Sequence, residues 1–268
     1  MSMPLGRVLI IAGSDSGGGA GLQADLKAVT ALGGFAATAV TAVTVQNTLG
    51  VSGVHPVPAE IVTAQARAVL DDIGADALKT GMLGDVAMVE TVAAILDTVP
   101  GIPAVVDPVM TAKGGAALLA KEAMDAVRSL MIPRAWLLTP NAPEAEALTG
   151  LPVRTPDDQR RAGEALLALG ARAVLMKGGH LEGGRVVDLL ITPSGETLFE
   201  AGRIDTRHTH GTGCTLASAC AAGLAQGLNL EAAVARAWAY VQEAIARAPG
   251  LGAGHGPLDH AWPLRGTA

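Results

Sequence analysis

Short apolar runs rich in β-branched residues alternate along this chain with longer segments of helical period. The first run, Val8 to Ala12, is apolar at every position, as expected of a parallel strand that is buried on both faces. Strands and helices that alternate in this way form right-handed crossover units around a parallel sheet, with helices on both faces. The alternation therefore predicts an α/β fold with a doubly wound, mostly parallel central sheet.

The predicted elements leave little of the chain unassigned. Buried strands are predicted at residues 8–12, 37–45, 77–80, 104–107, 135–139 and 173–177. Helices are predicted at residues 20–32, 59–72, 86–97, 121–130, 143–148, 157–169, 213–226 and 230–246. The turn Pro193-Ser194-Gly195-Glu196 predicts an antiparallel hairpin near residues 186–200. Because no repeat or linker interrupts the chain, we expect one domain over residues 1–268, with a Gly/Pro-rich tail from about residue 249.

The composition narrows the class of protein. Half of the 268 residues are hydrophobic and 16% are charged, which is enough apolar surface for a large core. A net charge of −6 and an aromatic content of 2% leave neither a basic surface nor stacking groups for nucleic acid or an anionic membrane. No apolar stretch approaches the length of a membrane span, and two cysteines are too few for a disulfide scaffold. We therefore expect a soluble protein of the cytoplasm.

Two glycine-rich segments each precede a predicted helix. The first, residues 13–21, contains a loose match to the dinucleotide-binding fingerprint. The next strand, at residues 37–45, has no acidic residue at its end to hold a ribose, which disfavours a nicotinamide cofactor. The second segment, Gly211 to Thr215, combines a flexible backbone with the unsatisfied amides and positive dipole end of a helix. It is predicted to bind an anion; a helix entry that serves only packing is the alternative.

Charged and polar side chains follow the predicted strands at their carboxyl ends, where open parallel sheets bind ligands. They are Asp107, Asn141, Glu144 and Lys177. Two carboxylates can hold a magnesium ion, and a lysine can neutralise a transferred phosphoryl group. Each residue alone has a structural alternative: Asp107 as a turn residue, Glu144 as a first-turn helix acid and Lys177 as a solvated strand end. Their shared position at one edge of the sheet favours a nucleotide site.

Several separate motifs give the chain a resemblance to a known family. They are residues 13–27, Thr41-Ala-Val-Thr-Val-Gln-Asn-Thr48, Lys79-Thr-Gly-Met-Leu83, Val106-Asp-Pro-Val-Met110, residues 139–146, Lys177-Gly-Gly-His180 and His210-Gly-Thr-Gly-Cys-Thr215. The ordered set resembles the ribokinase superfamily and, within it, the hydroxymethylpyrimidine/phosphomethylpyrimidine kinases of thiamin biosynthesis. The resemblance implies a three-layer α/β/α ribokinase-like fold, ATP and Mg²⁺ as cofactors, and a homodimer.

The resemblance also implies roles for residues of this chain. The catalytic residues are Cys214, Gly211 and Gly213. The superfamily more often has an aspartate where this chain has the cysteine. The pyrimidine pocket is lined by Gly13, Asp25, Gln46 and Met82. Magnesium is bound by Asp107 and Glu144, and the nucleotide is contacted by Lys177, Thr212, Asn141 and Thr139.

The chemistry of three residue types can be judged without the resemblance. The Gln46 amide offers one acceptor and one donor, which match the exocyclic amine and adjacent ring nitrogen of a 4-aminopyrimidine, although a strand-end cap is the alternative. Cys214 lies at a predicted helix N-terminus, so its thiol pKa is expected below about 8.5, which would make it a weak general base; a structural cysteine is the alternative. His208 and His210 alternate like metal ligands but lack an evident third ligand, so they are predicted to be solvated.

These features together predict ATP-dependent phosphorylation of 4-amino-5-hydroxymethyl-2-methylpyrimidine to its monophosphate and then to its diphosphate. A pyridoxine or pyridoxal kinase is the nearest alternative, because its substrate is also a heteroaromatic alcohol. A non-catalytic pyrimidine sensor or carrier is the alternative from another class. Residues 16–21 and the loop 112–117, which includes Lys113, are expected to close over the ligand.

Overall fold

The computed structural model of the protein describes residues 4–112, 114–181 and 183–265. Lys113 of the predicted closing loop lies outside the described residues. The strands within these ranges are β1 (Arg7–Asp15), β2 (Phe35–Asn47), β3 (Gly50–Pro56), β4 (Ala77–Thr80), β5 (Ala104–Val106), β6 (Leu137–Leu138), β7 (Val174–Met176), β8 (Arg185–Thr192) and β9 (Gly195–Gly202). They form one sheet in the order β3-β2-β1-β4-β5-β6-β7-β8-β9.

The sheet is mostly parallel, as predicted. Strands β1, β2 and β4 to β7 pair in parallel, and β8 and β9 form the predicted antiparallel hairpin at one edge. At the other edge β3 pairs antiparallel with β2, and the sequence does not predict this strand. Gly53 and Pro56 lie within β3 and disfavour a strand in the interior of a sheet, but an edge strand tolerates both.

The helices cover both faces of the sheet. They are α1 (Gly21–Ala31), α2 (Ala59–Asp72), α3 (Val86–Asp97), α4 (Met124–Ala126), α5 (Ala142–Thr149), α6 (Pro156–Ala168), α7 (Thr212–Ala225) and α8 (Leu230–Ala246). Alternate residues of β1 separate the two cores: Val8 and Ile10 pack with α1, α7 and α8, whereas Leu9 and Ile11 pack with α2, α3, α5 and α6. This is the three-layer α/β/α arrangement that the sequence predicts.

One predicted helix, at residues 121–130, is irregular. It consists of a 3₁₀ turn at Lys121–Ala123, the single turn α4, and a π-helical stretch at Val127–Met131. A second 3₁₀ turn contains Pro133, which lacks an amide hydrogen and so interrupts the ladder of helical hydrogen bonds. In the part of the chain that the structure describes, no helix has both the length and the apolar character needed to cross a membrane.

The tail beyond residue 249 returns to the carboxyl edge of the sheet. The amide of His255 donates to the carbonyl oxygen of Thr48 at 2.8 Å, and the amide of His210 donates to that of Gly256 at 3.1 Å. The tail therefore connects the turn between β2 and β3 with the segment that leads into α7.

Candidate active site

The second glycine segment opens α7 and contacts the first. Gly211 precedes the helix with φ of +81°, a left-handed conformation that glycine adopts without strain. A Cβ at this position would overlap the carbonyl oxygen of Gly19, so only glycine allows the two segments to approach this closely. The first amides of α7, from Thr212 onward, have no acceptor within the helix and lie at the positive end of its dipole. Both glycine segments thus meet at one potential anion site.

A cluster of polar side chains forms at the ends of β5, β6 and β7. Lys177 Nζ donates to Asp107 Oδ1 at 2.8 Å and lies 3.7 Å from Glu144 Oε2. Thr139 Oγ1 donates to the same oxygen of Asp107 at 3.1 Å. Asn141 caps α5, since its side chain accepts from the Glu144 amide while the Glu144 carboxylate accepts from the Asn141 amide. We call these five residues the strand-end cluster.

The strand-end cluster lies against the start of α7. A Cβ on Gly213 would stand 3.1 Å from Lys177 Nζ and 3.8 Å from Asp107 Oδ2, so the absence of a side chain leaves room there. Burial raises the pKa of Glu144 to about 7, with Asp107 adding to the rise and Lys177 opposing it. The carboxylates of Asp107 and Glu144 are of the ligand type that a divalent cation takes, and the ammonium with the helix amides suits a phosphate.

Cys214 lies in the first turn of α7, yet its thiol is not acidified. Burial raises the pKa of Cys214 to about 12; Lys79 lowers it, whereas Asp25 and Asp107 raise it further. The backbone amide of Gly21 also contacts the sulfur as a hydrogen-bond donor. The expectation of a pKa below about 8.5 is therefore wrong, because lost hydration and two nearby carboxylates outweigh the opposing effects of Lys79 and the Gly21 amide. At neutral pH Cys214 carries an uncharged thiol.

Asp25 is fully buried behind the first glycine segment. Its Oδ2 accepts a hydrogen bond from Lys79 Nζ at 2.8 Å, and its Oδ1 accepts one from Ser218 Oγ at 2.7 Å. Burial lowers the pKa of Lys79, but the attraction of Asp25 outweighs it and the pKa lies above its ordinary value. Both carboxylate oxygens have protein partners in this arrangement, so a substrate contact through Asp25 stays a prediction.

Gly13 and Met82 lie side by side, as a shared pocket wall requires. A Cβ on Gly13 would stand 3.0 Å from Met82 Sδ. Gly13 coincides with an irregularity in β1, where the pairing with β2 shifts between Ala12 and Ser14. The carbonyl oxygen of Met82 accepts a hydrogen bond from Thr41 Oγ1 at 2.7 Å, which fixes the loop after β4.

Gln46 meets a histidine that the sequence analysis predicts to be solvated. His210 is only 8% exposed, so that prediction is wrong at this position. Its Nε2 lies 2.9 Å from the side-chain amide of Gln46 and 3.1 Å from Asp15 Oδ2. Burial raises the pKa of Asp15, but hydrogen bonds from His210 and from backbone amides outweigh it and hold the pKa below its usual value. A small, partly open pocket adjoins Gln46 and His210 and extends to Gly114 and His255.

Sequence reasoning missed three residues of this site: Asp15, Lys79 and His210. A signal existed for Lys79, because a lysine inside a predicted buried strand requires a buried acidic partner. No comparable signal marked Asp15 and His210, which are 195 positions apart and meet only through the fold.

Known proteins share both the sequence and the fold. The sequence model of a family described as phosphomethylpyrimidine kinase matches residues 15–259. A hydroxymethylpyrimidine/phosphomethylpyrimidine kinase of Streptomyces coelicolor is 53% identical over 257 residues, which cover 96% of this chain and 95% of the relative. Its counterpart in Bacillus subtilis is 47% identical over 259 residues, 96% of each chain.

Among solved structures, an ADP complex of Bacillus subtilis pyridoxal kinase superposes with a TM-score of 0.90 at 36% identity, covering 99% of this chain and all of that one. A phosphomethylpyrimidine kinase from Clostridium difficile superposes with a TM-score of 0.80 at 40% identity, over 89% of this chain and 99% of that one. The predicted ribokinase-like fold and family are thereby confirmed. Helix α7, which Gly211 precedes, and the strand-end cluster are thus parts of a kinase fold. The chain belongs to the phosphomethylpyrimidine kinase family.

Proposed function

We propose that this kinase transfers the γ-phosphoryl group of ATP to the hydroxymethyl oxygen of 4-amino-5-hydroxymethyl-2-methylpyrimidine, and then phosphorylates the monophosphate. The observation that carries the proposal is the approach of Lys177 Nζ to Gly213 in the first turn of α7, which is so close that a Cβ there would stand 3.1 Å from the ammonium. An ammonium and helix amides that converge on one point can stabilise the charge of an in-line phosphoryl transfer.

Separate residues bind the terminal phosphate, the nucleotide and the magnesium ion in this proposal. The turn Gly211 to Cys214 receives the terminal phosphate, and Lys177 neutralises it, while Thr212, Thr139 and Asn141 border the nucleotide. Asp107 and Glu144 fit a magnesium ion, since that ion takes few carboxylates and completes its shell with water and phosphate. When bound there, magnesium would offset the negative charge of the phosphates. In the described residues no group of three or more His, Cys, Asp or Glu side chains could hold a metal ion.

The alcohol is recognised at the other end of the site. Gly13, Met82 and Gln46 border the position of the pyrimidine, and Gln46 supplies the donor and the acceptor that a 4-aminopyrimidine edge requires. Asp25 is the fourth residue predicted to line the pyrimidine pocket, and its ion pair with Lys79 fixes its carboxylate.

Release of ADP by the purified protein tests the proposal directly. Equal concentrations of the aminopyrimidine alcohol and of pyridoxine are supplied with magnesium and ATP, and kcat/KM is compared. We expect turnover with both and the higher value with the aminopyrimidine. Absence of turnover with either alcohol would favour a sensor or carrier, and a higher value with pyridoxine would overturn the choice of substrate.

A pyridoxal kinase activity is the second candidate, because the pyridoxal kinase of Bacillus subtilis superposes more closely than the phosphomethylpyrimidine kinase of Clostridium difficile. Sequence identity favours the other candidate: a hydroxymethylpyrimidine/phosphomethylpyrimidine kinase is 53% identical to this chain, whereas the pyridoxal kinase of Bacillus subtilis is 36% identical. The backbone therefore suits either heteroaromatic alcohol, and the polar residues of the pocket decide between them.

The neutral thiol of Cys214 is compatible with two successive phosphorylations in one site. The second acceptor is a phosphate of charge about −1.5 to −2, and a carboxylate about 4 Å away would oppose it by roughly 4 kcal/mol at an effective dielectric of about 20. The variant Cys214→Asp is therefore expected to lose far more kcat/KM with the monophosphate than with the alcohol. Equal losses with the two acceptors would contradict this explanation.

A homodimer and a cytoplasmic location complete the proposal. Val43, Val45 and Leu49 expose 48%, 63% and 71% of their surface at the β3 edge of the sheet, and a second copy of the chain would cover them. Light scattering of the purified protein should give twice the mass of the chain, and Val45→Glu should shift it toward the monomer. The free thiols of Cys214 and Cys220 suit a reducing compartment, which cell fractionation would test.

A further inference from the structure

The Gln46 amide is held by groups that allow only one of its two orientations. As the amide is placed, its Nε2 lies 2.9 Å from His210 Nε2, and its Oε1 accepts from Thr44 Oγ1 at 3.4 Å. The same nitrogen of His210 lies 3.1 Å from Asp15 Oδ2. The oxygen and nitrogen of a side-chain amide are exchanged by a half-turn, so the orientation follows from the donors and acceptors around it.

The carboxylate of Asp15 decides which group at this contact is the donor. Its pKa lies below the ordinary value, so the carboxylate is ionised and has only lone pairs to offer. Asp15 already accepts from the amides of Gly17, Gly19 and Ala20, which fix it in place. The contact with His210 is therefore a hydrogen bond only if Nε2 of the imidazole carries a proton.

A protonated Nε2 cannot accept a hydrogen bond from an amide NH₂. The Gln46 amide must therefore turn its oxygen toward His210, where it shares the Nε2 hydrogen with Asp15. Its NH₂ group then faces Thr44 Oγ1, whose own hydrogen is donated to the carbonyl oxygen of Ser14 at 2.8 Å. In this orientation the Nε2 hydrogen of His210 meets two acceptors and the amide NH₂ faces Thr44 Oγ1, whereas the opposite orientation places two donors at His210.

The imidazole itself has little freedom to move. His210 is 8% exposed, its backbone amide donates to the carbonyl oxygen of Gly256, and its ring packs on Gly19 so closely that a Cβ there would stand 2.6 Å from Cδ2. The tail and the first glycine segment therefore hold the ring from both sides, and its proton has a fixed direction.

We propose that His210, oriented by Asp15, is a positioning residue that sets the donor and acceptor order of Gln46 and thereby selects 4-amino over 4-oxo pyrimidines. The inference rests on the proposed function, in which Gln46 contacts the pyrimidine. A 4-aminopyrimidine presents an amine donor beside a ring-nitrogen acceptor, and a 4-oxopyrimidine presents a carbonyl acceptor beside a ring N–H donor. Turning the amide over would exchange one preference for the other.

The variant His210→Phe removes the fixed proton and keeps a ring of similar size. We compare kcat/KM for the 4-amino alcohol and its 4-oxo analogue in the wild type and the variant. The ratio of kcat/KM for the 4-amino alcohol to kcat/KM for the 4-oxo analogue should fall about 10-fold or more in the variant. In the wild type the fixed amide leaves the polar groups of the 4-oxo edge unpaired, whereas in the variant the freed amide can turn to match either edge. The KM for ATP should change little.

His208→Phe is the matched control, because that histidine is two positions away and its Nδ1 has no hydrogen-bond partner among the described residues. The control should leave the ratio of the two substrates unchanged. Equal losses of kcat/KM with both substrates in His210→Phe would indicate a merely structural role and overturn the proposal.

A measurement on the wild-type protein keeps the inference testable even if His210→Phe does not fold. Long-range ¹H–¹⁵N spectra of the imidazoles report which ring nitrogen carries hydrogen. We expect a proton on Nε2 of His210 at neutral pH, and a neutral ring with hydrogen only on Nδ1 would overturn the proposal. The spectrum does not depend on turnover, so its result is separable from failure of the proposed function, which would appear as no phosphorylation of either pyrimidine.

Discussion

The proposed anion site depends on two glycines, because a side chain at either position would meet neighbouring atoms. Gly211 needs its left-handed φ and the contact with Gly19, so any Cβ there would separate the two glycine segments. Gly213 differs, because its backbone is helical and its missing Cβ only leaves room beside Lys177. A substitution at Gly213 therefore separates the effect on the site from the effect on the fold.

We predict that Gly213→Ala lowers activity without lowering stability. The new Cβ would stand 3.1 Å from Lys177 Nζ and displace it, and a displacement of this kind should lower kcat/KM by about 10-fold to 100-fold. Alanine favours the helix over glycine by about 0.5 to 1 kcal/mol, so the melting temperature should stay the same or rise. Steady-state kinetics and thermal unfolding measure the two effects.

Gly179→Ala is the control for this prediction, since it lies two residues from Lys177 and a Cβ there would meet no atom within 4 Å. It should retain the wild-type kcat/KM. A Gly213→Ala enzyme as active as the wild type would show that the space beside Lys177 is not needed.

The sequence predicted which residues gather at the sheet edge but not their ionisation states. Asp107, Glu144 and Lys177 follow consecutive strands, so their proximity could be inferred from the alternation of elements alone. The raised pKa of Cys214 could not be inferred, because it depends on burial and on Asp25, which lies on a different helix. Helix position is visible in a sequence, whereas the charges that surround a thiol are not.

The tail after residue 249 acts as an element of the site although it forms little regular structure. The amides of Gly254 and His255 donate to the side chain and the carbonyl oxygen of Thr48, two residues after Gln46. Gly256 accepts from the amide of His210. The sequence marked this segment only by its glycine and proline content, because backbone contacts of this kind carry no pattern of residue types.

Gly254→Ala should loosen the tail from Thr48. The added Cβ would overlap the carbonyl oxygen of Thr48, so the two segments must separate. We expect KM for the pyrimidine to rise roughly 5-fold, which corresponds to a loss of about 1 kcal/mol, while KM for ATP is retained. Gly101→Ala, at a position where a Cβ meets no atom within 4 Å, should change neither constant. A rise in both KM values would indicate a general disturbance instead.

At the scale of the molecule, the order of the strands brings distant charges together. The carboxyl ends of β5, β6 and β7 are adjacent in the sheet, and the hairpin of β8 and β9 packs beside them. Asp188 of β8 accepts a hydrogen bond from the amide of Gly178 at 2.6 Å, directly after Lys177. The alternation in the sequence predicts the parallel strands. It does not predict their order, β3 or this cross-strand carboxylate, since these depend on where the chain joins the sheet.

Asp188 should make stability depend on pH. Burial raises its pKa to about 6 from an ordinary value of 3.8, although the Gly178 amide and Lys177 oppose the rise. Because the folded pKa is the higher one, its contribution to stability is complete below about pH 4 and is lost as pH rises through 6, by about 3 kcal/mol. Asp188→Asn should therefore gain in urea stability relative to the wild type between pH 4 and pH 7.

The exposed Asp71→Asn variant controls for the loss of one negative charge. If the stability difference between Asp188→Asn and the wild type were the same at both pH values, the buried carboxylate would not titrate in this range.

The contacts of the tail also determine when, during synthesis on the ribosome, the chain can bind each of its ligands. A nascent chain that has emerged from the ribosome as far as α8 can already complete all nine strands, but it lacks the residues that hold Thr48 and His210. Under the proposed function, we expect such a chain to bind ADP before it can discriminate between alcohols. Vitamin precursor should therefore protect only fully released chains from proteolysis, whereas nucleotide should protect stalled ones as well.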